Sequence, residues 1–297
     1  MKIVFLGTGA AIPDPDRNQS AIHITVRDRS YLFDCGHNAT RQMVRAHLDP
    51  TIVNFIFLSH LHYDHISDFA YFMISTWMCG RERAPVVVGP EGTQNFVDSL
   101  LEHGAYAKDI EARAQYPNRR KNIEVLRADV RQCDPGVVFE DDYVKVSACY
   151  VEHIPREISP CFGFRMDTVD GQSIAFSGDT APCDRFIQLA RGVDLLIHEC
   201  TFPEKAIEFR KKAGIGTWAH TSPIELGKLA EETGAKSLVA THIGHYDTTN
   251  PVVKRFMAVH MPAEIIGPEL LDEAVTDIRT NYGGELRLAH DLMRVDL

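Results

Sequence analysis

Ser59-His60-Leu61-His62-Tyr63-Asp64-His65 follows directly on the apolar run Thr51–Leu58 (TIVNFIFL) and packs three imidazoles and a carboxylate into six residues. The apolar run reads as a buried strand. His60 and His62 are two apart, so in an extended segment they point to the same side. A turn at Tyr63 then carries Asp64 and His65 to a neighbouring position. Imidazole nitrogen and carboxylate oxygen are suitable ligands for zinc and similar divalent ions. The competing reading is a polar turn that merely contains histidines. Burying so many polar groups without partners is costly, which favours ligation.

Outward from this stretch, short apolar runs bounded by turn residues dominate. Strands are expected at Lys2–Leu6, Ala21–Val26, Tyr31–Phe33, Thr51–Leu58, Val86–Val88, Ile123–Leu126, Tyr143–Ala148, Phe162–Met166, Ser173–Phe176, Val193–Ile197 and Ser237–Ala240. Helices are expected at Thr40–His47, Ser67–Met78, Glu91–Leu101, Cys183–Arg191, Pro203–Lys212 and Pro223–Thr233. Early strands in meander order, with strand–helix alternation in both halves, suit an α/β protein with two sheets face to face and helices outside. No linker, repeat or composition shift divides the chain, so residues 1–297 read as one domain.

Of the 297 residues 44% are hydrophobic and 24% charged, ordinary values for a globular protein. No window approaches the roughly 18 consecutive apolar residues of a membrane span, and MKIVFLGTGAAIP reads as a first strand rather than a signal peptide. A cytoplasmic location is expected. The seven cysteines are scattered without CxxC spacing, which argues for reduced thiols. A net charge of −10 disfavours general nucleic-acid binding. GTGAAIP lacks the Gly-Lys-Ser/Thr ending of a P-loop, and no G-x-S-x-G nucleophile elbow occurs.

His60, His62, Asp64 and His65 match the HxHxDH signature letter for letter, and in this the chain resembles the metallo-β-lactamase superfamily. The later landmarks follow in that family's order: His153 in SACYVEHIP, Asp179 in IAFSGDT and His242 in LVATHIGH. The resemblance implies an αββα sandwich of two mixed sheets with helices on the outer faces, the site lying at the strand ends between the sheets. It also implies two divalent metal ions. One takes His60, His62 and His153, the other Asp64, His65 and His242, and Asp179 bridges them. Zinc is the default, and manganese or iron suits the same ligands.

Within the superfamily the chain looks like the ribonuclease Z and arylsulfatase-like branch. The features shared with it are GTGAAIP followed by Arg17-Asn18-Gln19-Ser20, the SGDT stretch ending at Thr180, DLLIHECTF close to that branch's HEATF element, and Ala219-His220-Thr221-Ser222 ahead of a helix. Ser222, Pro223 and Glu225 have the form of a capping box, which sets His220 just ahead of a helix N-terminus where N–H groups and the dipole attract anions. His220 is therefore expected to bind an anionic oxygen or protonate a leaving group, with Glu199 orienting it as the resemblance suggests. The bland readings are a capping turn for His220 and a structural carboxylate for Glu199.

Ribonuclease Z carries a long arm between the third metal histidine and the bridging aspartate. Here His153 and Asp179 are 26 residues apart, filled by PREISP and a hairpin, so transfer RNA is a disfavoured partner. Two further stretches are candidates for shaping a pocket: Tyr106–Lys121, as a basic lid or a solvated loop, and Arg156, three residues past His153. The expected chemistry is hydrolysis of a small anionic phosphodiester or sulfate ester. Hydroxide held between two metals attacks, Asp64 orients the nucleophile and His220 stabilises the leaving group. A lactonase or β-lactamase is the alternative, then a ribonuclease Z-like endonuclease, then a non-catalytic scaffold, which the complete ligand set opposes. By the resemblance, a redox di-iron role would carry a carboxylate at the position of His62. The resemblance also suggests a homodimer.

Overall fold

A computed structural model describes residues 1–216 and 219–297. Fourteen strands form among these residues: β1 Lys2–Gly7, β2 Ala21–Val26, β3 Arg29–Phe33, β4 Val53–Phe57, β5 Val86–Gly89, β6 Asp129–Gln132, β7 Gly136–Glu140, β8 Val144–Tyr150, β9 Phe162–Thr168, β10 Ser173–Phe176, β11 Leu195–Glu199, β12 Ser237–Thr241, β13 Glu285–Leu288 and β14 Arg294–Asp296. They build two seven-stranded sheets, ordered β14-β1-β2-β3-β4-β5-β6 and β13-β12-β11-β10-β9-β8-β7. Both are mixed. β3 to β6 run parallel, as do β10 to β13, while the hairpin strands are antiparallel.

Side-chain alternation sorts each central strand between two cores. Ile3, Phe5, Phe33 and Phe57 face the opposite sheet, whereas Val4, Leu6, Leu32 and Ile56 face the helices. The second sheet repeats the pattern, with Ile174, Phe176, Leu195, Ile197 and Val239 inward and Ala175, Leu196, Leu238 and Ala240 outward. Being buried on both faces, these strands read as continuous apolar runs. Phe33 ties the sheets together, stacking on Phe57 at 4.8 Å and meeting Phe164 of the opposite sheet edge-on at 5.7 Å.

The αββα sandwich expected from the sequence is the observed architecture, and the helix Pro223–Thr233 has the expected bounds. Ile123–Leu126 departs from expectation: it is a 3₁₀ turn whose Val125 and Leu126 are buried, and the strand lies further on at Asp129–Gln132. DVRQ pairs at the edge of its sheet and is largely exposed, so it carries no apolar run. The C-terminal strands β13 and β14 were equally silent. They extend opposite sheets, and Asp291 between them accepts from Thr8 N and Oγ1, Asn18 N and Nδ2, and Gln42 Nε2. The Thr8 and Asn18 positions of the opening motif thus clamp the chain's own tail.

Candidate metal centre

The candidate residues leave the sheets at strand ends. His60, His62, Asp64 and His65 follow β4, His153 follows β8, Asp179 follows β10, and His242 follows β12. Left-handed backbone turns concentrate here, with φ of 57° at Asp34, 58° at Gly178 and 54° at His242. Such conformations are costly for residues other than glycine and mark places where the surrounding fold imposes geometry. Gly178 has a second reason, because a Cβ there would lie 2.8 Å from Ser59 Cβ.

Two ligand-like groups result. His60, His62, His153 and Asp179 form one, and Asp64, His65, Asp179 and His242 form the other, with the atoms of each group within 4.8 Å of one another. Asp179 Oδ2 is 3.7 Å from His153 Nε2 and 4.0 Å from His60 Nε2, while its Oδ1 is 3.4 Å from both His65 Nε2 and His242 Nε2. Asp64 Oδ2 lies 3.3 Å from His242 Nε2 and 3.6 Å from His65 Nε2.

Tautomers follow from who can donate to whom. Ser59 Oγ donates to Asp34 Oδ2 at 2.9 Å, so His60 Nδ1 donates to Ser59 at 3.0 Å. His65 Nδ1 donates to the same Asp34 oxygen at 2.6 Å. His153 Nδ1 donates to the Ala219 carbonyl at 2.8 Å. Thr201 Oγ1 donates to Glu199 Oε2 at 2.7 Å and accepts from His242 Nδ1 at 2.9 Å. In all four rings Nε2 is left toward the cluster, the orientation that supporting carboxylates and carbonyls impose on metal-binding histidines.

The residues fit divalent ions. Buried His60 Nε2, His65 Nε2 and Asp179 Oδ1 have no hydrogen-bond partner. Buried polar atoms rarely lack one, and of the eight such atoms among the described residues these three lie together in this one cluster. His153 Nε2 also faces His62 Nδ1 at 3.1 Å, a juxtaposition that needs a proton or a cation between two lone pairs. Burial holds His60, His62 and His153 below the ordinary histidine value, leaving neutral bases. Burial alone would raise Asp179, but His242 and His65 beside it hold its carboxyl well below the usual range. Burial likewise opposes charge on His65, and Asp179, Asp34 and Asp64 override it, driving His65 toward the cation. A metal held by His65 would take the place of that proton.

His220 Nδ1 lies 2.8 Å from Glu199 Oε1, and Glu199 is fully buried, also accepting from Thr180 N at 2.8 Å. Burial opposes charge on His220, but the charge and hydrogen bond of Glu199 outweigh it and lift the imidazole to about 9. The capping box at Ser222 and Glu225 is present. It changes the expected role of the helix N-terminus. Glu225 N donates to Ser222 Oγ, Ser222 N to Glu225, and Ile224 N to Glu204, so these N–H groups are consumed internally and the charge of His220 is left to meet an anion.

A cavity of about 310 Å³ opens over the cluster, lined by His62, Asp64, His153, Asp179, His220 and His242 together with Ile12, Phe202, Arg210, Met257 and His260, the Phe202 ring lying 5.4 Å from that of His220. That is the small end of the range for small-molecule sites. Tyr106–Lys121 takes no part in it. Arg113 and Arg119 contact Met78, at the far end of the helix Phe69–Met78, so the stretch is not a lid over this cavity. Arg156 lies over Tyr150 at 4.4 Å and lines a neighbouring hollow. Between His153 and Asp179 runs a short loop and the β9–β10 hairpin, with no projecting arm. The sequence reading missed Asp34, Ser59 and Thr201. Asp34 had a usable signal, an apolar strand closed by Asp and small residues in Phe33-Asp34-Cys35-Gly36, the same form as at Asp179.

The family model described as Anti-Pycsar protein Apyc1 matches residues 1–249. Ribonuclease Z of Mycobacterium marinum is 29% identical over 310 residues, covering 100% of this chain and 99% of that protein. Ribonuclease Z of Methanocaldococcus jannaschii is 30% identical over 281 residues, covering 83% of this chain and 87% of that protein. Among solved structures, the metallo-β-lactamase fold protein YhfI from Bacillus subtilis superposes with a TM-score of 0.72 at 19% identity, covering 99% of this chain and 98% of that one. A diphosphatase from the PhnP family superposes at 0.64 and 16% identity, covering 100% and 97%. At these identities the two structures speak for the fold.

Proposed function

This chain belongs to the Anti-Pycsar protein Apyc1 family, in the ribonuclease Z branch of the metallo-β-lactamase superfamily of hydrolases, and from that premise we propose that it hydrolyses phosphodiesters of small molecules with two divalent ions. His60, His62 and His153 would hold one ion, Asp64, His65 and His242 the other, with Asp179 shared. When bound, such a pair supplies a nucleophile at neutral pH and neutralises charge on the scissile group. The 2.8 Å contact of His220 Nδ1 with buried Glu199 beside the ligand cluster, which draws the imidazole toward its protonated form, is the observation that carries the choice of an anionic ester over a lactone or β-lactam.

The protein's own groups divide the work. Asp64 orients the attacking water by accepting its proton. His220 holds its Nδ1 proton on Glu199 and keeps Nε2–H for the substrate. As water oxygen bonds to phosphorus and the ester P–O bond breaks, that proton passes to the leaving oxygen. The small cavity and the absence of an arm between His153 and Asp179 support a small substrate over a transfer-RNA precursor. A panel of bis-p-nitrophenyl phosphate, p-nitrophenyl sulfate, a homoserine lactone, a chromogenic β-lactam and a transfer-RNA precursor tests this on metal-loaded protein. The phosphodiester should be turned over best. Preferred turnover of the lactone or β-lactam, or efficient site-specific trimming of the precursor, would replace this reading.

A further inference from the structure

The strap Gly9–Asp14 passes along the cavity over the ligand cluster, and Ala10, Ala11 and Ile12 line it. Gly9 bridges Ile243, one residue past His242, and Ala10 N donates to the Ile243 carbonyl at 3.1 Å. The Ala11 carbonyl accepts from Tyr63 Oη at 2.6 Å, and Tyr63 stands between His62 and Asp64. The strap is thus fastened to both the first and the last of the candidate-ligand segments. His245 supplies a further fastening. Its ring is fully buried, with Nε2 3.0 Å from the Ala10 carbonyl and Nδ1 3.0 Å from Asp14 Oδ2, a side chain 3% exposed. Gly9 makes room for the ring, because a Cβ there would lie 2.6 Å from His245 Cε1. The His245 backbone is left-handed, with φ of 62°, a conformation the surrounding fold must impose.

Neither partner of the ring can donate. A carbonyl oxygen carries no proton, and Asp14 is a carboxylate: burial opposes its charge, but hydrogen bonds from His245 and from Asp16 N hold it below its ordinary value. A neutral imidazole has one N–H and would turn a lone pair on one of the two oxygens. Arg17, whose Cβ lies beside Gly9, sends its guanidinium to Asp247 at 2.8 Å, so His245 is the ring that meets Asp14 directly. We infer that His245 is a positioning residue, an imidazolium donating from both nitrogens that bolts the strap in place as one wall of the cavity. A charged donor on a carboxylate makes a stronger bond than a neutral one, and separating two buried charges is costly, so the strap and the His245 turn hold together. The inference rests on the phosphodiesterase reading only for what the wall encloses.

Long-range proton–nitrogen NMR of zinc-loaded protein reads the ring directly, its signals being those missing from His245→Asn. In wild-type protein both His245 nitrogens should carry protons at the assay pH. Asp14→Asn can donate to the ring, so one nitrogen should lose its proton while the strap stays in place. His245→Asn suits the left-handed backbone but is too short to span both acceptors. It should speed amide exchange at Gly9 and Ala10 at least about tenfold, as expected when a charged hydrogen bond is lost. It should also raise KM for bis-p-nitrophenyl phosphate more than it lowers kcat. An unprotonated His245 nitrogen in wild-type protein, or unchanged exchange or unchanged KM in His245→Asn, overturns the inference. If His245→Asn fails to fold, the signals that change in Asp14→Asn identify the same ring, and its protonation in wild-type protein decides. If wild-type protein hydrolyses no phosphodiester, the functional reading fails, while the ring protons and exchange rates still decide the role of His245.

Discussion

Glu199 accepts from His220 Nδ1 at 2.8 Å and, through Thr201, orients His242 as well, so one buried carboxylate sets both a candidate proton donor and a candidate metal ligand. The two roles separate experimentally. His220→Ala should keep both metals and lose about 10²–10⁴ in turnover, the usual contribution of a positioned proton donor. The loss should shrink for p-nitrophenolate and grow for an alkoxide leaving group. Wild-type kinetics on both, with metal content intact, would reduce His220 to part of a capping turn.

The pH profile gives an independent handle. His220 is raised, to about 9, so the proton it offers is fully present below its ordinary value and is lost as pH climbs through about 9. Turnover of a substrate with a poor leaving group should therefore fall on the alkaline side near that pH. Glu199→Gln removes the charge that raises His220, and the alkaline limb should move to lower pH. An alkaline limb that stays in place in Glu199→Gln assigns that limb to another group.

Asp34 holds His65 directly and His60 through Ser59, one ring for each proposed metal. Asp34→Ala should weaken metal retention about 10- to 100-fold, as loss of a supporting partner generally does. Both ions should be affected, which chelator competition followed by elemental analysis reads. Unchanged affinity would make Asp34 a purely structural carboxylate.

Asp291→Ala should destabilise the fold without touching the chemistry. It removes an acceptor shared by Thr8, Asn18 and Gln42, and charged hydrogen bonds of this kind point to a cost of about 2–3 kcal/mol. Urea denaturation measures it, with kcat on the remaining folded protein expected unchanged. A stability within about 0.5 kcal/mol of wild type would deny the clamp.

What was legible in the sequence follows from burial. Strands sandwiched between two cores, such as Val53–Phe57 and Leu195–Glu199, announce themselves as apolar runs. Edge strands such as Asp129–Gln132 and Glu285–Leu288 are half exposed and carry charges, so nothing in their composition separates them from loops. The seven ligand candidates were legible because few-residue motifs fix them, and the fold brings all seven together. The groups that support them were not, because a serine, a threonine or a carbonyl acquires its role only from what lies across the sandwich. Ala219 is the extreme case, since only its backbone oxygen acts. The helix N-terminus ahead of Pro223 shows the opposite failure, where a correct capping motif suggested free N–H groups that Ser222 and Glu204 in fact occupy.

The most direct test is titration of metal-free protein with zinc while hydrolysis of bis-p-nitrophenyl phosphate is followed. The proposed site, with six candidate ligands in two sets sharing Asp179, predicts activity that rises to a break at two equivalents, and loss of both the break and the activity in Asp179→Ala. Full activity at one equivalent, activity without metal, or two tightly held ions with no phosphodiester turnover would contradict it.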